Sequence, residues 1–117
     1  MIVAVIGSRN FADYALVEAT LSALPKLSQV VSGGAKGADS LAQRYAEQHQ
    51  IPLLVFKPDW SQFGRGAGVV RNRQIVEAAE HLIAFWDGVS KGTASSIKLA
   101  RAKGVPVQVI AIPAKSA

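Results

Sequence analysis

The chain has no cysteine and only two histidines, His49 and His81, which stand far apart. Disulfides and thiolate zinc sites are excluded, and no imidazole pair stands with a carboxylate at ligand spacing, so neither a metal site nor a cofactor is expected. No apolar run approaches the roughly 20 residues that a membrane helix needs. The N-terminal run carries no basic leader and no cleavage site, so a cytoplasmic location without a membrane partner is expected. Charge is also scarce, at 18% of residues, with no block of like charges, no low-complexity tract and no internal repeat. Thirteen Lys and Arg against eight Asp and Glu give a formal +5. That mild excess points to an acidic partner only if the fold gathers the cations in one place.

What is present is apolar and punctuated. Half of the 117 residues are hydrophobic, enough for one packed domain over 1–117, with 112–117 expected as a flexible tail. Short runs rich in β-branched residues and leucine recur at Ile2 to Ile6, Gln29 to Ser32, Leu53 to Phe56, His81 to Phe85 and Val107 to Ile110. They are apolar throughout and do not alternate, as expected of parallel strands covered on both faces. Between them lie helical patterns. Asp13 caps the first, which Pro25 closes; the second follows Gly37, burying Leu41, Ala42, Tyr45, Ala46 and His49; a third spans Ala67 to Ala79, and a fourth runs from Gly92 to Gly104. Lys57 to Gly66 reads as a long irregular loop. Right-handed crossovers then favour an α/β, Rossmann-like three-layer sandwich of about five parallel strands in the order 3-2-1-4-5, with helices on both faces.

In that topology ligands bind beyond the carboxyl ends of the first and fourth strands, where the strand order reverses. Two polar loops end there. Gly7, Ser8 and Arg9 follow the first strand, and Asp87, Gly88, Ser90, Gly92 and Thr93 follow the fourth and open the last helix. The second strand ends in Ser32, Gly33, Gly34, Ala35, Lys36, Gly37, Ala38 and Asp39, where glycines leave backbone N–H groups bare ahead of a helix start, a seat for an anion. It has neither the GK[ST] ending of a P-loop nor the G-x-G-x-x-G spacing, so nucleoside-triphosphate hydrolysis is not supported. Arg9 is placed to fork onto a phosphate. On the third helix Val69, Asn72, Val76 and Ala79 share a face, which puts an amide in an apolar stripe. Arg71 and Arg73 stand about 200° apart, so only one of them can enter a pocket. Trp60 is the candidate to stack on a base and cover the ligand.

The stretches GSR, VVSGGAKGADSLA, PDW, AGVVRNRQI and WDGVSKGT, in this order across nearly the whole chain, resemble the SLOG superfamily and most closely its compact YspA-like branch. The resemblance implies a Rossmann-like fold in which Gly7, Ser8, Arg9, Gly33, Gly34, Asp39, Arg71, Asn72, Asp87, Gly92 and Thr93 surround a pocket for a nucleotide or nucleotide-derived molecule. Two related groups imply different roles. The Lonely Guy phosphoribohydrolases cleave a nucleotide N-glycosidic bond and carry a glutamate three residues after the threonine of their second glycine motif; here that position is Ser96, leaving Asp39 and Asp87 as candidate catalytic carboxylates. The DNA-processing protein DprA shares the VVSGGAKGAD and RNR stretches, which implies a single-stranded DNA partner. Relatives often pair, so a homo-oligomer is expected. The leading expectation is a nucleotide-binding or sensing module, with a glycosidic hydrolase and a single-strand binder as alternatives.

Overall fold

The structure, a computed structural model, describes residues 1–113. Five strands, β1 (Ile2–Gly7), β2 (Gln29–Ser32), β3 (Leu53–Val55), β4 (His81–Trp86) and β5 (Val107–Ala111), form one parallel sheet in the order β3-β2-β1-β4-β5. β1 lies in the middle and pairs with β4 from Val3 opposite His81 to Gly7 opposite Phe85. This is the expected order, and the central position of β1 creates the switch point between β1 and β4.

Five helices connect the strands: α1 (Tyr14–Ser22), α2 (Ala38–Gln48), α3 (Trp60–Phe63), α4 (Ala67–Ala78) and α5 (Lys91–Ala102). Successive β1 side chains enter opposite layers. Val3 and Val5 pack with Val17, Leu21, Ala42, Tyr45 and Phe85 under α1 and α2, while Ala4 and Ile6 pack with Ile75, Val76, Leu82 and Ile97 under α4 and α5. The period-two alternation of a strand thus feeds two cores at once, which is why the strands read as unbroken apolar runs.

Several local expectations are corrected. Lys57 to Gly66 is not irregular: Asp59 caps α3 by accepting from the Gln62 N–H at 3.1 Å, and a 3-10 turn at Gly64–Gly66 leads into α4. The Asp-x-x-Gln spacing is a helix-start signature within that segment. Val69 is 60% exposed and leaves the expected α4 stripe, whose buried members are Ala67, Ile75 and Val76. His49 is exposed, stacked on Tyr45 with ring centroids 4.1 Å apart. Ile112, placed in the expected tail, is buried in the α1/α2 core, and its N–H donates to the Trp86 carbonyl at 3.0 Å; Pro113 is exposed. The rest of that expectation, 114–117, lies outside the described residues. Among the described residues no helix is long and apolar enough to cross a membrane.

Candidate functional site

At the carboxyl edge of the sheet the loops are locked together through glycines. A Cβ on Gly7 would sit 2.5 Å from the Phe85 carbonyl oxygen and 2.7 Å from Ala38 Cβ, so only glycine lets β1 end between β4 and α2. Gly37 has φ +78°, and a Cβ there would fall 2.2 Å from the Ser8 carbonyl oxygen. That closeness lets the Ala38 N–H donate to Ser8 O at 3.4 Å, while the Ser8 N–H donates to Phe85 O at 3.1 Å. Gly37 therefore does not line the cleft; it holds the loop after β1 against the start of α2.

The bare donors expected between Gly33 and Asp39 are partly consumed inside the loop. Gly34 N–H donates to Ser32 Oγ at 3.3 Å and Ala35 N–H to Asp39 Oδ2 at 3.1 Å. Ser32, fully buried, donates in turn to the Asp39 carbonyl at 3.4 Å, so it braces the turn from beneath and does not face the cleft. The turn uses its own polar side chains to satisfy its backbone, which residue spacing alone cannot reveal.

The open donors lie instead at α5. Asp87 Oδ1 accepts the N–H groups of Val89 at 2.9 Å and Ser90 at 2.8 Å, and these bonds hold its carboxyl below the usual range. Gly88, with φ +84°, makes that turn and stays out of the cavity. Ser90 Oγ donates to Asp87 Oδ2 at 3.1 Å and lies 3.1 Å from Ser8 Oγ. A hydroxyl has one proton, and Ser90 gives its own to Asp87, so the Ser8 proton is directed at Ser90 Oγ or at the Asp87 carboxylate beside it, and its lone pairs are left to accept. With the Ser90 side chain so engaged, α5 has no side-chain cap. Among the described residues the first-turn N–H groups of Lys91, Gly92 and Thr93 have no partner, and the positive end of the helix opens into the cleft. Trp86, half-buried, closes this loop from behind by donating from Nε1 to Ser90 O at 3.1 Å.

Opposite α5 stands α4. Arg71 enters the cleft and Arg73 is exposed, as their angular separation requires. Arg71 Nη1 donates to the Gly33 carbonyl at 2.8 Å, and its Nε to Asn72 Oδ1 at 2.9 Å, which gives the Asn72 amide oxygen its partner. Asp39 is 7% exposed. Burial pushes its carboxyl up from the usual value, opposed by the Ala35 N–H, by Arg71, by the Gly33 N–H and by Arg9. Burial likewise lowers Arg71, with Asp39 opposing.

These groups line an inner cavity of about 400 Å³, walled by Gly7, Ser8, Arg9, Asp39, Arg71, Asn72, Asp87, Ser90, Gly92 and Thr93. An outer compartment of about 950 Å³ shares Arg9, Arg71, Asn72, Lys91 and Gly92 with it and adds Gly33, Gly34, Lys36 and Trp60. Fourteen of the seventeen residues read as ligand-binding therefore border one continuous cleft, while Ser32, Gly37 and Gly88 shape its loops. Asn10 and Lys91, in the two loops expected at the switch point but not named as ligand-binding, also line the inner cavity, and sequence reasoning missed Ser96 inside and Lys57, Arg65 and Ser95 outside. Ser96 is one helical turn beyond Thr93 and was within reach of that spacing. Lys57 and Arg65 were hidden by reading their segment as an irregular loop.

A family profile described as YspA, cpYpsA-related SLOG family matches residues 1–63. The Gene 61 protein of Mycobacterium phage D29 is 39% identical over 84 residues, covering 67% of either chain. Two solved structures share the fold. DNA processing protein A from Helicobacter pylori, described for its single-stranded DNA binding mode, superposes with a TM-score of 0.74 at 23% identity over 93% of this chain and 64% of its own. DNA processing protein A from Streptococcus pneumoniae gives 0.76 at 23% over 97% and 50%. The chain thus spans between half and two thirds of the length of those two proteins.

Proposed function

Because the chain belongs to the YspA, cpYpsA-related SLOG family, we propose that it binds a nucleotide or nucleotide-derived ligand in the cleft at the carboxyl ends of β1 and β4. One observation carries this reading: the uncapped first turn of α5 faces Arg9 and Arg71 across the inner cavity. Backbone donors, a helix dipole and two guanidinium groups converge on a space of phosphate-plus-sugar dimensions. The seat differs from the one expected in the glycine loop, whose N–H groups at Gly34 and Ala35 are already taken. Asp39 and the lone pairs of Ser8 accept hydrogen bonds from sugar hydroxyls or base amino groups.

Isothermal titration calorimetry against a panel of nucleoside 5′-monophosphates tests the proposal. The wild-type chain binds at least one of them, and Arg9→Ala weakens that binding about 10-fold or more through loss of a charge-assisted pair. Binding to no member of the panel refutes the reading.

A single-stranded nucleic acid is the second reading. It is favoured by the outer compartment, where Lys36, Lys57 and Arg65 lie beside Trp60, 60% exposed. The fold it shares with DNA processing protein A adds support. Engagement of three phosphates would cost about 20-fold in affinity between 50 and 200 mM salt. Affinity that climbs with oligonucleotide length favours this reading, and saturation by a mononucleotide favours the pocket.

A further inference from the structure

We infer that the cleft takes its nucleotide sugar-first, with the phosphate chain leading outward, and that the preferred class is a nucleoside polyphosphate; this deepens the binding reading above and rests on it. The two compartments differ in charge. The inner cavity sets Asp39 and Asp87 among its cations, with hydroxyls, amides and the apolar side chains of Ile6 and Ile75 on the rest of its wall. The outer one has Arg9, Lys36, Lys57, Arg65, Arg71 and Lys91 on its walls and no carboxylate. Among the described residues none of these six cations lies within 4.0 Å of an acidic oxygen, since the ion pairs present are His49 with Glu18 and Lys103 with Glu77.

The position of each ligand group follows from these charges. A phosphate driven inward would meet the buried Asp39 carboxylate, where little water remains to screen two anions. Sugar hydroxyls suit that end, because they donate and both Asp39 and Ser8 accept. The first phosphate then falls at the rim shared by the two compartments, against the first turn of α5. A second and a third phosphate enter the outer compartment, where Lys36, Lys57 and Arg65 stand in excess of what one phosphate needs. Its volume of about 950 Å³ leaves ample room for them.

The experiment is calorimetry with the 5′-mono-, di- and triphosphates of adenosine and guanosine at low salt, with EDTA present so that no metal masks the phosphates. Each added phosphate tightens binding about three- to tenfold, as expected for one further anion near exposed cations with little screening. In the K57Q/R65Q variant, whose two changes lie on exposed side chains, the gain from mono- to triphosphate shrinks to about threefold or less. A flat or inverted series in the wild-type chain overturns the inference while leaving the binding reading intact. So does an unchanged series in the variant, or a dinucleotide that outcompetes the triphosphate. Failure of every nucleotide to bind defeats both.

Discussion

A single methyl group placed on Gly33 is expected to weaken the site without unfolding the chain. The Gly33 φ lies outside the left-handed region, so alanine brings no backbone strain. Its Cβ, however, would sit 2.6 Å from Arg71 Nη1, 3.1 Å from Arg71 Cζ and 2.9 Å from Asp39 Oδ2. Ordinary contact begins near 3.4 Å, so the guanidinium must retreat by 3.4 − 2.6 = 0.8 Å. The retreat strains or breaks its 2.8 Å bond to the Gly33 carbonyl. Because the clashing atoms are the far ends of side chains, the stability cost is about that of one charge-assisted hydrogen bond, roughly 1.5–3 kcal/mol. A guanidinium displaced by this distance also loses its alignment on a phosphate. The expected loss of nucleotide affinity is about 10- to 100-fold, from the same range of energies. Calorimetry read beside a thermal melt separates the two effects, and Arg71→Lys, which keeps the charge but not the fork, serves as the comparison. A folded Gly33→Ala chain with wild-type affinity would show that Arg71 does not serve the ligand from the position Gly33 gives it.

Three further outcomes follow from the same geometry. Gly37→Ala meets backbone atoms that cannot yield, at 2.2 Å from Ser8 O and 2.6 Å from Arg9 C, and imposes φ +78° on a residue with a side chain. It should cost several kcal/mol, seen as a large fall in denaturation midpoint, and a midpoint within error of wild type would contradict the packing described. Asp39→Asn should raise stability at neutral pH. Burial lifts the folded-state pKa of Asp39 above its unfolded value of 3.8, so the folded chain binds the proton more tightly and loses stability as pH rises through that window. The advantage of the variant in thermal melts should fade as pH falls toward 3.8, and a gain that grew on acidification would reverse the sign assigned here. Nucleoside monophosphates should release no base above the level of an Asp39→Ala/Asp87→Ala control. Ser96, at the position where the resemblance to the Lonely Guy phosphoribohydrolases implies a glutamate, is buried at the cavity wall and unable to supply a carboxylate. Product above that control, measured by chromatography, would restore the hydrolase reading.

The identity and order of the strands were legible because their signal is local and one-dimensional. Ile2–Gly7 and His81–Trp86 are apolar on both faces, and only a parallel sheet covered by helices on both sides uses such runs. Handedness and connection length then left few topologies. The topology alone brought the loops after β1 and β4, with Arg9 and Thr93, to the switch point; Asp39 was read from the glycine turn after β2, and Arg71 was singled out from Arg73 only through the family resemblance. The segment around Trp60 was misread because two glycines and a proline outweighed a single capping pair, Asp59 and Gln62, in a four-residue helix.

The sequence by itself determined where each strand starts, its end to within one residue, how the strands are ordered and which polar loops share a rim. All of these depend on periodicity and chain connectivity. Only the tertiary structure decided which backbone donors stay open. Whether the N–H groups of Gly34 and Ala35 are free depends on where Ser32 Oγ and Asp39 Oδ2 point, and whether α5 is capped depends on Ser90 turning to Asp87. Side-chain rotamers set by three-dimensional packing make that choice, and spacing along the chain does not encode it.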